Sequence, residues 1–321
     1  MLYLRPVKQV TEQKLLIKLA YYYYKLELTQ SEIAERFGMS RQRVNRLLKR
    51  CRDEGIVEIR IAGFSESYIE LEGALEAGFG LRQVIITPEV DDDHLYDALG
   101  QAAADYIRMN LGTQKTIGIS WGSTMYKMAL NLPSLGPFPE MKVVQMVGNM
   151  GQLARDHQPD EVTRLLASKI GAEPVLLYAP VYMKNKVAKY TLVHEASIKS
   201  VLDMMPECEM VFLSVSGIEN NYTYFNETVI EEKFIQELRE KEAVGNICLR
   251  YFNAEGQCVD AELHRLEVGV DGETIKKIPN VVCAAGGPVK YQAISGALNG
   301  GFVNTLITDK GTADYLLKQL Q

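Results

Sequence analysis

The feature that most constrains the fold of this 321-residue chain is a repeated alternation of short apolar runs with stretches of helical periodicity. The runs are rich in valine and isoleucine and span residues 84–86, 117–119, 143–147, 175–178, 211–215, 281–284 and 303–307. Strands that alternate with helices are joined by crossovers, so the sequence predicts an α/β domain with a mostly parallel sheet covered on both faces. In segment 247–259, two strand-like runs around residues 253–256 predict a hairpin near the carboxyl-terminal edge of that sheet.

The N-terminal part of the chain has a different pattern, which predicts a small helical domain. Apolar positions three and four residues apart indicate an amphipathic helix over 12–26. Thr29 has the spacing of a capping box that opens a second helix, and this helix should end at Gly38. Ser40 begins a third helix, which should stop at Gly55. Two helices joined by a glycine turn predict a helix-turn-helix.

Charge divides the chain at the end of this helical part. Residues 1–62 carry 13 basic and 7 acidic side chains, a net charge of +6, whereas the rest of the chain carries −12. A basic segment joined to an acidic body is typical of a protein in which one end binds a polyanion. We therefore predict a small all-α DNA-binding domain over 1–62, in which a strand at 56–61 would form a wing, a hinge at 63–67 and a second domain over 68–321.

The third helix carries six positive charges and no negative charge over residues 40–52, which indicates double-stranded DNA as a partner. In helix-turn-helix docking the first residues of the second helix reach base edges, which favours Gln42, Arg43 and Arg46 as base-reading residues. The remaining positions are better placed for phosphates or flank the reading face. The complete predicted interface is Thr29, Gln30, Ser40, Arg41, Gln42, Arg43, Asn45, Arg46, Lys49 and Arg50.

Two alternatives remain open for this helical domain. The basic helix could instead be a solvated face of a protein-interaction module. The four consecutive tyrosines at 21–24 point in several directions on one helix, so some pack in the core and others could contact DNA backbone or a partner subunit. We favour packing for the tyrosines.

Three turns that follow predicted strands have the composition of an anion or sugar site, because ligands of open α/β sheets bind at the carboxyl ends of strands. In the first turn, Gly122, Ser123 and Thr124 open a helix and offer backbone N–H groups, hydroxyls and a helix dipole. The alternative is that the two hydroxyls only cap that helix. In the second turn, Gly148, Asn149 and Gly151 let the backbone bend close to a ligand.

The third turn contains Gly286 and Gly287 and ends at Lys290, at the beginning of a helix. A lysine there lies at the unfavourable end of the helix dipole, so a compensating anion is expected. The alternative is an exposed lysine. If Lys290 is desolvated, it could also form a Schiff base with an aldehyde sugar.

An enzyme needs an acid, a base or a nucleophile, and the candidates here are Asp309, Glu219 and His194. No triad, metal site or complete phosphate-binding loop motif accompanies them, so we predict no catalytic residue, no metal and no cofactor. The five cysteines lack metal-ligand spacing and are expected to be reduced and mostly buried. The chain has no signal-peptide pattern and no run of about 18 apolar residues, so a cytoplasmic protein without a membrane partner is expected.

Four segments taken together carry a resemblance to a known family: 28–61, 117–129 with its W-G-S-T turn, 243–260 with G-N-I, and 278–317 with A-A-G-G-P-V-K. In this order they resemble the SorC family of bacterial sugar-responsive transcriptional regulators. The resemblance covers nearly the whole chain. It implies an N-terminal helix-turn-helix and a Rossmann-like effector domain similar to ribose-5-phosphate isomerase and glucosamine-6-phosphate deaminase, in a homodimer or homotetramer.

The resemblance also implies roles for individual residues. Ser123, Thr124 and the loop 148–151 would contact the effector, and Lys290 looks like the family's ligand-binding lysine. Asn246 stands where the family pattern usually has an acidic residue, and an amide binds sugar hydroxyls without carrying a charge. In the third helix, Asn45 stands where the family pattern more commonly has a serine.

The expected function is therefore control of a carbohydrate-utilisation operon by a sugar or sugar-phosphate effector. The alternatives are a sugar-phosphate isomerase or deaminase fused to a DNA-binding arm, and a protein-interaction module without a ligand.

Overall fold

The computed structural model describes residues 7–59, 67–150, 157–218 and 232–321. The chain divides into two compact units, Met1–Ser67 and Tyr68–Gln321. The predicted hinge lies outside the described residues except for Ser67. Within the described ranges, no helix has the length and apolar character needed to cross a membrane.

The first unit contains three helices, α1 (Val7–Tyr24), α2 (Gln30–Arg36) and α3 (Arg41–Asp53). Leu19, Ile33, Val44 and Leu48 meet in its core, each with an exposed fraction of 1% or less. The expected amphipathic helix is thus present, but it ends before Leu26, which is 46% exposed and does not pack.

The predicted wing is wrong for the part of it that the structure describes. Residues 56–59 form no strand. Instead, the backbone N–H of Val57 donates to the carbonyl of Cys51, and Ile56 and Val57 pack side by side against the end of α3. In a strand, the side chains of adjacent residues point to opposite faces. Ile56 and Val57 instead pack on the same cluster, so this segment does not have the geometry of a strand. Residues 60 and 61 lie outside the described part of the chain.

The second unit is built on a seven-stranded sheet in which all pairs of neighbours are parallel. The strands of this sheet are β1 (Gln83–Thr87), β2 (Thr116–Ile119), β3 (Lys142–Gln145), β4 (Glu173–Val175), β5 (Met210–Leu213), β9 (Val281–Ala284) and β10 (Thr305–Asp309). Their order across the sheet is β1-β10-β9-β5-β2-β3-β4. An α/β fold with a mostly parallel sheet is therefore confirmed.

Helices cover both faces of this sheet, so its strands are nearly continuously apolar. Phe212 of β5 packs in the cluster on the face covered by α5 and α6, whereas its neighbour Leu213 packs in the cluster on the opposite face. The helices of this unit are α4 (Ile69–Phe79), α5 (Leu95–Asn110), α6 (Ser123–Asn131), α7 (Pro159–Ile170), α8 (Lys186–Val193), α9 (Ala196–Met204), α10 (Glu232–Glu240), α11 (Gly272–Lys277), α12 (Tyr291–Asn299) and α13 (Lys310–Gln319).

Two strands of the sheet have other bounds than the predicted apolar runs, because a side chain rather than a neighbouring strand hydrogen-bonds the backbone there. The run 175–178 overlaps β4 only at Val175, because the Gln145 side chain accepts from the Leu177 N–H at 3.2 Å and draws the chain out of the ladder. The last strand begins at Thr305 rather than 303, since the Asn304 side chain accepts from the Val281 N–H at 2.9 Å.

The chain reverses twice within 247–259. The predicted reversal at 253–256 is present, because Phe252 pairs antiparallel with Cys258 across it and the Val259 N–H donates to the Tyr251 carbonyl at 3.1 Å. A second hairpin turn, which the sequence reasoning did not identify, lies at residues 248–249. Strands β6 (Val215–Gly217), β7 (Gly245–Ile247) and β8 (Arg250–Phe252) form a separate antiparallel sheet instead of an insertion at the edge of the large one. Cys248 and Leu249 both have positive φ angles, 48° and 66°. Tight hairpin turns need this geometry and usually obtain it from Asn-Gly, so Cys248 and Leu249 give no turn signal in the sequence.

Candidate functional site

Side-chain caps fix the two helices of the helix-turn-helix. The Thr29 hydroxyl accepts from the Glu32 N–H at 3.3 Å, and the Glu32 carboxylate accepts from the Thr29 N–H at 2.8 Å, which confirms the capping box. The Ser40 hydroxyl accepts from the Arg43 N–H at 3.2 Å and caps α3. Gly38 supplies a left-handed residue, with a φ of 59°, to the turn between the two helices. The basic helix therefore has a defined start.

One face of α3 is buried and the other carries the predicted DNA-contacting residues. Val44, Leu48 and Cys51 have exposed fractions of 1% or less. The exposed residues follow the opposite face and the flanks, namely Arg41, Gln42, Arg43, Asn45, Arg46 and Lys49. In the first turn of α2, Gln30 is partly exposed. The helix therefore presents basic and amide side chains to solvent together.

Two arginines near the end of α3 are already engaged within the unit. The Arg50 guanidinium pairs with Glu54 and also with Glu12, the latter at 2.5 Å, and these contacts raise the pKa of Arg50. Arg52 donates to the Tyr24 hydroxyl at 3.0 Å. In contrast, Arg43, Arg46 and Lys49 make no ion pair with any described residue. These three cations, like the exposed Arg41, are therefore not neutralised by a carboxylate of the described residues.

The tyrosine run is divided between packing and solvent. Tyr22, Tyr23 and Tyr24 are partly buried against the core of the first unit, and the Tyr22 ring lies edge-on to Phe37 at 5.5 Å. Tyr21 is 54% exposed. Packing is thus confirmed for three of the four tyrosines.

In the second unit, the direction of the chain along the sheet reverses between β2 and β5. From β2 it proceeds outwards to β3 and β4, and from β5 it proceeds to β9 and β10 on the other side. Ligands of open α/β sheets bind at such a switch point, beyond the carboxyl ends of the strands. The three predicted loops follow β2, β3 and β9, so the topology brings them to one edge of the sheet.

The loop after β2 opens α6 with a glycine as the N-cap residue. Gly122, the N-cap residue, has a φ of 105° and no side chain that could cap the helix. Ser123 begins the helix, and Thr124 is 2% exposed. Because the N-cap residue is a glycine, it supplies no side-chain acceptor to the first-turn N–H groups of α6, which carry the partial positive charge of the helix dipole.

The loop after β3 is held by contacts within the protein. A Cβ atom on Gly148 would lie 2.7 Å from the carbonyl oxygen of Pro180, so close packing requires glycine there. The Asn149 side-chain oxygen accepts from Gln145 Nε2 at 2.9 Å. Gly151 lies outside the described residues. Gln145, which the sequence reasoning did not identify, thus connects the loops that follow β3 and β4.

The loop after β9 depends on Asp309, the last residue of β10. A Cβ atom on Gly286 would lie 2.1 Å from the Asp309 carboxylate. That carboxylate accepts from the Gly287 N–H at 2.8 Å and from the Thr312 N–H at 3.0 Å. Asp309 therefore positions the loop and caps α13, which accounts for its carboxylate without a role in catalysis.

Lys290 ends this loop with its side chain buried. It is 8% exposed, and the Nζ atom lies 5.5 Å from the centroid of the Tyr96 ring. No carboxylate of the described residues pairs with it. Burial lowers the pKa of the Lys290 ammonium. The alternative of an exposed lysine is wrong, and the site is one in which an anion would stabilise the charged form.

Two further polar residues lie in, or directly after, strands of the second unit. Asn246 is 4% exposed on β7, where its side-chain oxygen accepts from the Leu249 N–H at 3.3 Å and supports the hairpin turn. Ser214, between β5 and β6, has a buried hydroxyl without a hydrogen-bond partner in the described structure. Sequence reasoning did not identify Ser214, because a serine inside an apolar run carries no signal of its own.

The remaining predictions about chemistry concern histidine, glutamate and cysteine. His194 is exposed at the end of α8 and contacts the Tyr190 carbonyl at 2.6 Å, and Glu219 lies outside the described residues. In the described ranges, no group of three or more His, Cys, Asp or Glu side chains could hold a metal ion. All five cysteines are free and only Cys258 is exposed, in agreement with the expectation of reduced and mostly buried thiols.

Comparison with known proteins gives matches to both units. A family model for a sugar-binding domain matches residues 65–318, and a model for a Crp-like helix-turn-helix domain matches residues 13–71. The deoxyribonucleoside regulator of Bacillus subtilis is 30% identical over 316 residues, covering 96% of this chain and 99% of the relative. The sorbitol operon regulator of Klebsiella pneumoniae is 26% identical and covers 95% and 98%.

Solved structures agree with these relatives. The full-length sorbitol operon regulator SorC from Klebsiella pneumoniae superposes with a TM-score of 0.74 at 25% identity, covering 95% of this chain and 98% of that one. A DeoR family transcriptional regulator from Listeria monocytogenes gives 0.71 at 28% identity, with 77% and 98% covered.

A helix-turn-helix joined to a sugar-binding α/β domain defines a DNA-binding transcriptional regulator. The chain belongs to the SorC family of such regulators.

Proposed function

We propose that this regulator acts in the cytoplasm, where it binds operator DNA as a homodimer or homotetramer, and that a sugar phosphate changes its affinity for the operator of a carbohydrate-utilisation operon. Residues 1–62 would bind DNA, and residues 68–321 would bind the effector and hold the subunits together. The effector would lie at the carboxyl edge of the seven-stranded sheet. The observation that carries this proposal is the buried Lys290, which has no carboxylate partner among the described residues.

A phosphorylated effector accounts for this lysine better than a neutral sugar. A buried ammonium without a counter-ion is unfavourable, and an anion removes that penalty. The N-terminus of α6, whose N-cap residue is a glycine, offers N–H donors to the same chemical group at the same edge of the sheet. We propose Gly122, Ser123, Thr124 and Lys290 for the anionic end of the ligand. Asn149 and Asn246, with the backbone at Gly148 and Gly151, would bind its hydroxyl groups.

For DNA, the exposed side chains of α3 supply two kinds of contact. Gln42, Arg43 and Arg46 lie near the start of the helix, where base edges are read in the major groove. Lys49, Arg41 and the start of α2 at Thr29 and Gln30 would contact phosphates. Arg50 would join them only by exchanging its two internal carboxylate partners for a phosphate.

The effector is tested with the full-length protein and its own fluorescence. Trp121, the only tryptophan of the chain, directly precedes Gly122. The panel contains 2-deoxyribose 5-phosphate, ribose 5-phosphate, fructose 6-phosphate and sorbitol 6-phosphate, with the unphosphorylated counterparts and inorganic phosphate. Two of these compounds are chosen because the relatives are named for deoxyribonucleosides and sorbitol. At least one sugar phosphate should change the Trp121 fluorescence at a concentration more than tenfold lower than its unphosphorylated counterpart requires. If no compound of the panel binds, the proposal is contradicted.

Operator control is tested in a second experiment. Binding sites selected from random DNA are expected to be pseudo-palindromic, since two recognition helices of an oligomer read two half-sites. The sugar phosphate that binds should change the operator affinity of the full-length protein. Turnover of that sugar phosphate would instead favour the isomerase or deaminase alternative. The relatives compared above are all named as regulators.

A further inference from the structure

The Ser214 hydroxyl differs from almost every other buried polar group in the described structure, because it is shielded from solvent and makes no hydrogen bond. More than nine in ten buried polar groups of proteins have a partner, and one without a partner destabilises the fold. An alanine would fill the same position without that penalty. The serine is therefore better explained by a partner that joins the protein from outside.

The position of Ser214 indicates which partner this would be. It follows β5, the strand from which the chain direction reverses, and β5 lies between β2 and β9. The Phe212 carbonyl accepts from the Ser120 N–H at 2.9 Å on one side, and Leu213 is in register with Cys283 on the other. Ser214 is thus placed between the end of β2, where the α6 loop begins, and the end of β9, which leads to Lys290.

Alternation along the strand gives the face of the sheet. Leu213 and Val215 pack in the cluster on one face, and Phe212 packs in the cluster on the face covered by α5 and α6. Successive side chains of an extended chain point to opposite faces, so Ser214 belongs to the side of α6. Continued alternation past the end of β5 therefore assigns the Ser214 hydroxyl to the side of the sheet on which α6 begins.

We infer that Ser214 is an additional effector-binding residue that determines specificity, and that its hydroxyl exchanges a hydrogen bond with a hydroxyl group of the sugar effector. This inference rests on the proposed function. Lys290 and the N-terminus of α6 would bind the anionic group, which many metabolites share. Ser214 would distinguish polyhydroxylated anions from inorganic phosphate, because only the former bring a hydroxyl to it.

The test compares wild type, Ser214→Ala and Ser200→Ala in the full-length protein. Ser200 is an exposed serine on α9 whose hydroxyl contacts the Ser197 carbonyl, so it controls for the loss of a hydroxyl elsewhere. Urea unfolding followed by Trp121 fluorescence gives the stability without ligand. Fluorescence titration gives the affinity for inorganic phosphate and for each sugar phosphate of the panel.

We expect two changes of opposite sign for Ser214→Ala. Without ligand the variant is at least as stable as wild type, because an unpaired buried hydroxyl is removed. Its affinity for the bound sugar phosphate falls about 3- to 10-fold, the range of one neutral hydrogen bond, while its affinity for inorganic phosphate is unchanged. A merely structural serine would instead give a less stable variant.

Unchanged sugar-phosphate affinity or a loss of stability in Ser214→Ala would overturn the inference and leave the proposed function standing. Wild type that binds inorganic phosphate with the same affinity as every sugar phosphate would also overturn it, since no hydroxyl is then recognised. Wild type that binds no member of the panel would overturn the proposed function and this inference together.

Discussion

Replacement of His264 by glutamine should make the second unit less sensitive to acid. His264 lies in the helical turn Glu262–Arg265, where its Nε2 atom accepts from the backbone N–H of Tyr251 at 2.9 Å. Burial, and then the positive charge of Arg250, lower the pKa of the imidazole from 6.5 to about 4, and the carboxylates of Asp260 and Glu237 oppose this only in part. A protonated Nε2 would also lose its ability to accept from Tyr251.

The sign and size of the effect follow from linkage between protonation and folding. The folded protein keeps His264 neutral, whereas the unfolded chain binds a proton below pH 6.5. The stabilisation is therefore complete above pH 6.5 and is lost as the pH falls from 6.5 towards 4. Between pH 7.5 and pH 5.0, these two pKa values correspond to a loss of about 2 kcal/mol in the free energy of unfolding.

Urea unfolding at these two pH values, followed by Trp121 fluorescence, measures this loss. Trp121 packs against two apolar clusters of the second unit and reports its unfolding. His264→Gln keeps a hydrogen-bond acceptor but cannot be protonated, so it should lose about 2 kcal/mol less than wild type. Glu267, whose pKa burial raises to about 8, is present in both proteins, and its contribution cancels in the difference.

A matched variant controls for the loss of an imidazole elsewhere. His194→Gln replaces the exposed histidine at the end of α8 and should unfold like wild type at both pH values. If wild type and His264→Gln lost equal stability between pH 7.5 and pH 5.0, the assignment of a neutral buried imidazole to His264 would be refuted.

Three further predictions concern the two functional surfaces. Arg46→Ala should relax sequence preference at one operator position by about 1–3 kcal/mol. Lys49→Ala should instead weaken binding to all sequences and reduce the slope of log affinity against log salt concentration by about one. Titration of operator variants at several salt concentrations measures both effects. Lys290→Met should reduce sugar-phosphate affinity about 10- to 150-fold, because hydrogen bonds to charged groups contribute about 1.5–3 kcal/mol. The same variant should bind the operator as tightly as wild type when no effector is present. Gly286→Ala should destabilise the second unit by about 1–3 kcal/mol in urea, because its Cβ atom would meet the carboxylate of Asp309, and this destabilisation should be smaller when Asp309 is already alanine.

The parts of the fold that sequence reasoning predicted correctly depend on neighbours in the chain. Thr29 and Glu32 are three residues apart and form their capping box within one turn, so spacing alone is sufficient. The apolar runs of the parallel sheet are similarly local signals. They locate the strands but leave the strand ends uncertain, because Gln145 ends the ladder at β4 through a contact with Leu177, 32 residues later.

The incorrect or missing parts depend on contacts across the fold. The turn at Cys248 and Leu249 carries no turn signal in the sequence. It forms because Leu249 is buried in the core, with an exposed fraction of 2%, and because its N–H donates to the Asn246 side-chain oxygen. The sequence places Gly286 in a turn after a predicted strand, but only the structure shows the Asp309 carboxylate against it. Ser214 is a candidate solely because its hydroxyl has no partner in the described structure, a property that no local pattern encodes.

Control of DNA affinity requires that the effector bind one state of the regulator more tightly than the other. A coupling of about 1–3 kcal/mol, which corresponds to roughly 5- to 150-fold in affinity, is typical of allosteric proteins. A single charge-assisted hydrogen bond at Lys290 has the same magnitude. Two states of the regulator, one in which Lys290 reaches the anion and one in which it does not, would therefore be sufficient for a coupling of this size. Such a difference would be transmitted through Asp309, because one carboxylate holds both the Gly287 N–H of the lysine loop and the first turn of α13. A movement of Lys290 towards an anion would therefore act on β10 and α13 as well as on its own loop.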